Sequence, residues 1–158
     1  EKYQLVVFDF PGHAGTTELM ELSLQMDYIL SPIEADIQSL VSCLAYAKTI
    51  TEIGVSMSDS QIKDIILFWN KVDRRVRNII IDEYTKLIDE YELTLLPGYV
   101  YATHRFSHEL STYGLRGVFR STYQPPARGL RMGTGLDELV NEIIQRLKLK
   151  TKTENGND

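Results

Sequence analysis

The chain has one cysteine and one tryptophan among its 158 residues. No apolar run approaches the roughly twenty residues that a membrane-spanning helix needs. A lone Cys43 excludes an internal disulfide and a cysteine-based zinc site, and its place on an apolar helical face predicts a buried, inert thiol. There is no internal repeat. No G-x-x-x-x-G-K-[ST] phosphate loop, or relative of it, occurs anywhere in the sequence. What remains is an ordinary globular composition, 43% hydrophobic and 25% charged. The length suits one domain with a real core and is short for two. We expect a single domain over residues 1–150, a disordered polar tail over 151–158 and a cytoplasmic location. Glu1 is not a methionine and a strand is expected two residues later, so the expectation is a chain that starts inside a larger protein.

The net charge of −5 conceals an asymmetry. Residues 1–104 carry 8 basic against 16 acidic side chains, whereas residues 105–152 carry 9 against 4. A basic C-terminal third is compatible with a surface for nucleic acid or an acidic partner, although lysines near a helix C-terminus account for part of it.

Hydrophobic patterning predicts alternating strands and helices. Leu5-Val6-Val7-Phe8 is an unbroken apolar run, too short for a helix, and reads as a strand buried on both faces. Asp9 stands at its end, and Phe10-Pro11-Gly12 turns the chain away. A helix is expected over Glu18–Met26 with Thr16 or Thr17 as cap, then a strand Tyr28–Leu30 closed by Ser31-Pro32. Ile37, Leu40, Val41 and Leu44 mark the clearest helix, followed by a surface loop over Ile53–Ser60. Ile65–Trp69 is a third buried strand, ending in Asn70-Lys71-Val72-Asp73, and a helix is expected over Arg75–Tyr91. A weaker strand lies between Leu95 and Tyr101, where Pro97-Gly98 interrupts the pattern. Residues 103–134 read as long, partly irregular structure. Thr134-Gly135-Leu136-Asp137 resembles a capping box before a closing helix through Leu147. Repeated strand-then-helix units imply an α/β fold: a doubly wound, mainly parallel sheet with helices on both faces.

In such a fold ligands bind outside the carboxyl ends of the strands. Asp9-Phe10-Pro11-Gly12 and Asn70-Lys71-Val72-Asp73 both fall there. A carboxylate at Asp9 suits Mg²⁺, a hard cation that prefers oxygen, and the amide of Asn70 matches the donor and acceptor edge of a purine. The pair suggests a nucleoside triphosphate site.

These motifs, with the stretch Asp27-Tyr28-Ile29-Leu30-Ser31-Pro32-Ile33-Glu34 leading into Ser39-Leu40, resemble the C-terminal two thirds of a ParA/MinD-type P-loop ATPase. The resemblance covers about residues 3–110. It implies that Asp9 is the switch II or Walker-B-like acid beside Mg²⁺, that Gly12 belongs to the loop sensing the γ-phosphate, and that Asn70 contacts adenine. Tyr101 or Arg105 would touch ribose or base. ATP and Mg²⁺ are the implied cofactors; the implied partners are a second copy in an ATP-dependent homodimer, an adaptor protein, and DNA or membrane. The implied setting is partitioning or transfer of plasmid or conjugative-element DNA. Family members also carry a glycine-rich loop with two lysines, which this sequence lacks. The chain alone is therefore expected neither to bind ATP tightly nor to hydrolyse it.

Two other readings stay open. Asp9-x-x-Gly12 and Asn70-Lys71-x-Asp73 also match the switch II and guanine motifs of Ras-like GTPases, with Asp73 then pairing with guanine rather than capping a helix. A non-catalytic α/β interaction module is the other. Arg116, Arg120, Arg128 and Arg131, set among glycines and prolines, are candidate DNA contacts. His104 and His108 stand four apart, as metal ligands on a helix would, but without the glutamate of a zinc protease, so surface histidines are expected.

Overall fold

A computed structural model describes residues 3–11, 16–56, 60–75, 79–104 and 128–150. Within them three strands form one parallel sheet in the order β1-β2-β3. β1 (Tyr28–Ile33) pairs with β2 (Asp64–Val72) from Tyr28 opposite Asp64 to Ile33 opposite Trp69. β2 pairs in turn with β3 (Thr94–Tyr101). The helices are α1 (Thr17–Leu24), α2 (Ile37–Ser56), α3 (Ile79–Glu90), the single turn α4 (Arg128–Arg131) and α5 (Leu136–Arg146).

Side-chain alternation along β2 divides the core into two layers. Ile65, Leu67 and Trp69 point to one face, where they meet Leu40, Leu44 and Ala47 of α2 and Ile81 and Ile88 of α3. Ile66 points to the other, where Leu96 and Val100 of β3 pack with Leu139 of α5. β2 is apolar on both faces because both are covered, as its unbroken hydrophobic run predicts. The chain is thus of α/β character, with helices on each side of a small parallel sheet.

Local signals set most boundaries. The Thr16 hydroxyl accepts the Leu19 amide and opens α1, and the Asp36 carboxylate accepts the Ser39 amide at 2.8 Å to open α2. Four expectations are corrected. β1 continues through Ser31 and Pro32 to Ile33, because Pro32 lies near the end of an outer strand, where its missing amide costs no ladder bond. α2 runs on to Ser56 through the supposed loop, its Ile50 buried and Ile53 packed against the core. α5 has no capping box: its N-cap is Gly135, at φ 81°, and the Asp137 carboxylate is taken by Arg131 at 2.7 Å.

The largest correction concerns Leu5–Phe8. Residues 3–11 form neither helix nor strand, and Leu5, Val6, Val7 and Phe8 are 47–79% exposed. An apolar run becomes a buried strand only where a neighbouring strand supplies hydrogen bonds and helices cover both faces. No strand flanks Leu5–Phe8 among the described residues.

Candidate functional site

The carboxyl ends of β1 and β2 carry a polar cluster built from their exits. Past Ile33, Glu34 receives the Lys71 ammonium at 2.5 Å, which ties the end of β2 to the turn before α2. Lys71 takes a left-handed conformation, φ 53°, uncommon for a residue with a side chain. It accompanies an irregularity in the β2–β3 register between Trp69 and Val72. Asn70, just before it, is half-buried, and its side-chain amide has no hydrogen-bond partner among the described residues.

Asp73 and the arginines after it close the end of β2. The Asp73 carboxylate accepts the Arg75 backbone amide at 2.9 Å and its Nε and Nη2 at 3.1 and 3.0 Å. The Arg75 side chain, and then its backbone amide, hold the Asp73 carboxyl below the usual aspartate range. Arg74 reaches the other way. Its guanidinium stands 3.8 Å from the Tyr101 ring centre and donates to the Gly133 carbonyl. Tyr101 itself donates its backbone amide to the Thr134 carbonyl at 2.9 Å, so the turn before α5 is fastened along the free edge of β3.

The sequence-predicted residues fall as follows. Asn70 shares the face of Ile66 and Phe68, whereas Tyr101 packs with Trp69 on the opposite face, so the sheet separates these two side chains. Asp9 is exposed, and its segment is anchored at its other end. The Gln4 side chain bonds the Lys150 backbone, accepting its amide at 2.9 Å and donating to its carbonyl at 3.3 Å. Lys150 follows Arg146, which is bonded to Asp64 and Thr94 at the starts of β2 and β3. Gln4 therefore lies at the amino end of the sheet. Asp9 lines one cavity with residues from both ends of β1, Asp27 and Tyr28 as well as Pro32 and Ser39, and Asn70 does not line it.

Among the DNA-contact candidates, Arg128 is exposed on α4, while Arg131 is half-buried and paired with Asp137, which leaves it less available to phosphate. Gly12, Arg105, Arg116, Arg120 and His108 lie outside the described residues. Among the described residues no group of three or more His, Cys, Asp or Glu side chains is placed to hold a metal. No helix of the described residues is long and apolar enough to cross a membrane. Sequence reasoning missed Lys71–Glu34 and Arg74–Tyr101. Both join residues remote in sequence, and only the register of β1, β2 and β3 brings them together.

No protein-family model, no curated protein and no solved structure matches the chain.

Proposed function

We propose that this chain carries the magnesium-side and base-side parts of a ParA-type ATPase site, within a doubly wound P-loop fold. The activity would serve partitioning or transfer of plasmid or conjugative-element DNA, with ATP-dependent dimerisation. One observation supports this above others. Asn70, the amide the resemblance singles out, lies near the carboxyl end of β2 in a parallel sheet, where α/β proteins hold their ligands. The half-buried, unpaired Asn70 amide is suited to a purine edge. Asp9 would hold Mg²⁺, and Gly12 would belong to the adjoining γ-phosphate loop. Hydrolysis also needs backbone amides and a lysine to cradle and neutralise the phosphates, and no glycine-rich lysine loop exists in these 158 residues.

The test is an NMR titration of the whole chain with adenosine, guanosine and Mg-ATP. Millimolar adenosine is expected to shift the Asn70 side-chain resonances, and Asn70→Ala to abolish the effect on its neighbours. Mg-ATP is expected to bind no more tightly than adenosine does. Micromolar Mg-ATP affinity, or an Asn70 amide indifferent to adenosine, would overturn the proposal.

A further inference from the structure

We propose that Lys71 and Glu34 are positioning residues for Asn70: their ion pair holds a bulge in β2 that presents the Asn70 side chain to the edge of a purine. The ligand named here rests on the nucleotide reading, whereas the positioning rests on the geometry of the two strand ends.

β2 gains one residue at its carboxyl end. Trp69 stands opposite Tyr99 and Val72 opposite Tyr101, so three steps along β2 match two along β3. The extra residue resets the alternation of side chains. Ile65, Leu67 and Trp69 enter the layer under α2 and α3 from odd positions, and Val72 joins them from an even one. The ladder resumes beyond it, with the Ala102 amide donating to the Val72 carbonyl at 3.0 Å. Asn70, half-buried, and Lys71, exposed, are the two residues set between these fixed points. A bulge at the end of a strand re-aims the side chains it carries.

Lys71 makes the bulge. Among the described residues three that are not glycine have positive φ, and two of them, Glu92 and Lys148, close helices. There the amides of Leu93 and Leu149 return to the carbonyls of Ile88 and Ile144, the common ending of a helix on a left-handed residue. Lys71, at φ 53°, stands instead inside a strand. A left-handed residue with a β-carbon is strained, and it persists where surrounding contacts hold it. The contact here is the Glu34 carboxylate, 2.5 Å from the Lys71 ammonium. Glu34 follows Ile33, the partner of Trp69, so the parallel register brings it alongside Asn70. Its backbone is fixed in turn, because its amide donates to the Ser39 hydroxyl at 3.0 Å and the Ser39 amide donates to the Asp36 carboxylate at 2.8 Å. The start of α2 thus holds Glu34, Glu34 holds Lys71, and Lys71 sets how β2 releases Asn70. Both charged side chains are exposed, so the pair tips a local equilibrium and is open to screening by salt.

The test uses the whole chain and two NMR readouts: the three-bond couplings that report χ1 of Asn70 in the free protein, and a titration with adenosine. Glu34→Gln is expected to average the Asn70 couplings and to weaken adenosine binding about threefold, the scale of an exposed ion pair. Lys71→Arg keeps the charge and should match wild type in both. In Lys71→Gly, where the left-handed conformation carries no strain and the pair is gone, adding Glu34→Gln should change neither readout. Adenosine is uncharged, so sodium chloride reaches its binding through the protein; it should weaken binding to wild type and leave Glu34→Gln unaffected. A pair that only stabilised the fold would lower the melting temperature and move none of these. Asn70 couplings unchanged in Glu34→Gln, or the same loss of affinity with and without Lys71→Gly, overturn the positioning. Adenosine that leaves Asn70 untouched in wild type overturns the nucleotide reading and the ligand named here, and the couplings then decide the positioning by themselves.

Discussion

Arg146, in the last turn of α5, donates to the Asp64 carboxylate at 2.8 Å at the start of β2. The same Nη2 reaches the Thr94 hydroxyl at 2.8 Å, and Thr94 in turn lies 3.1 Å from Asp64. One guanidinium thereby fastens the amino ends of two neighbouring strands to the end of the helix that covers them. Asp64 is only 23% exposed but Arg146 is 48% exposed, so solvent weakens the pair. Arg146→Ala is expected to cost about 1 kcal/mol. A thermal melt should register this as a fall of about 2–4 °C for a domain of this size. A melt unchanged by the substitution would show that α5 is held by its apolar contacts alone.

The glycines of β3 and of the turn before α5 differ in what a methyl group would meet. A β-carbon at Gly135 would overlap the backbone carbonyl of Tyr99, and its φ of 81° disfavours any side chain. At Gly98 the obstacle is the Glu142 carboxylate, 2.8 Å away, which accepts the Gly98 amide at 3.3 Å and can swing aside. Gly129 has nothing within 4 Å. Gly135→Ala is expected to cost more than about 3 kcal/mol, Gly98→Ala about 1 kcal/mol and Gly129→Ala less than about 0.5 kcal/mol. Urea unfolding of the three variants checks the order. Equal losses at Gly135 and Gly129 would contradict the packing of this turn on β3.

Cys43 sits among apolar neighbours beside β1, its sulfur 3.3 Å from the Ser31 hydroxyl. Burial pushes its thiol above the usual range, and the Ser31 bond partly opposes the rise. A raised folded pKa means that the protein favours the protonated thiol. The resulting stabilisation is complete below the unfolded value, near 8.5, and is lost as pH climbs through the folded one. Alkylation at pH 8 should therefore be slower than for a free thiol, and Ser31→Ala should slow it further. A faster reaction in Ser31→Ala would place the thiol in a wetter site than the structure does.

What the sequence made legible was local. Ile65–Trp69 announced a doubly buried strand because five apolar residues in a row have no polar face to offer solvent, and β2 is buried on both sides. Thr16 announced a helix start because capping acts within four residues. The same logic misplaced Leu5–Phe8, since composition cannot reveal whether a neighbouring strand is there. It also stopped α2 early, because glycine and serine in 53–60 outweighed a core contact by Ile53 that sequence does not show. At the candidate site the strand ends were legible and the pairing was not. Alternation from Phe68 to Asn70 and from Trp69 to Tyr101 across an irregular register puts Asn70 and Tyr101 on opposite faces.

The last prediction separates the two nucleotide readings at Asp73. A guanine-recognising aspartate must present a free carboxylate to the base, whereas here Arg75 already supplies three donors to it. That grip lowers the Asp73 pKa, chiefly through the Arg75 side chain. The depressed value means that the ionised, paired form contributes stability above the unfolded pKa, about 3.9, and that this contribution disappears as pH falls through the folded value. In a carboxyl-carbon NMR titration the Asp73 midpoint should lie below that of an ordinary aspartate. Arg75→Ala should raise it, though not fully, because the backbone amide of residue 75 still donates. The stability difference between wild type and Arg75→Ala should shrink as pH falls through the folded value, below which Asp73 is protonated in both. With that carboxylate engaged, guanosine or GDP at millimolar concentration should leave the Asp73 resonance in place. If GDP moves it, and Asp73→Ala abolishes the binding while adenosine binds neither protein, the carboxylate is a base reader, and the ATPase reading gives way to the GTPase one.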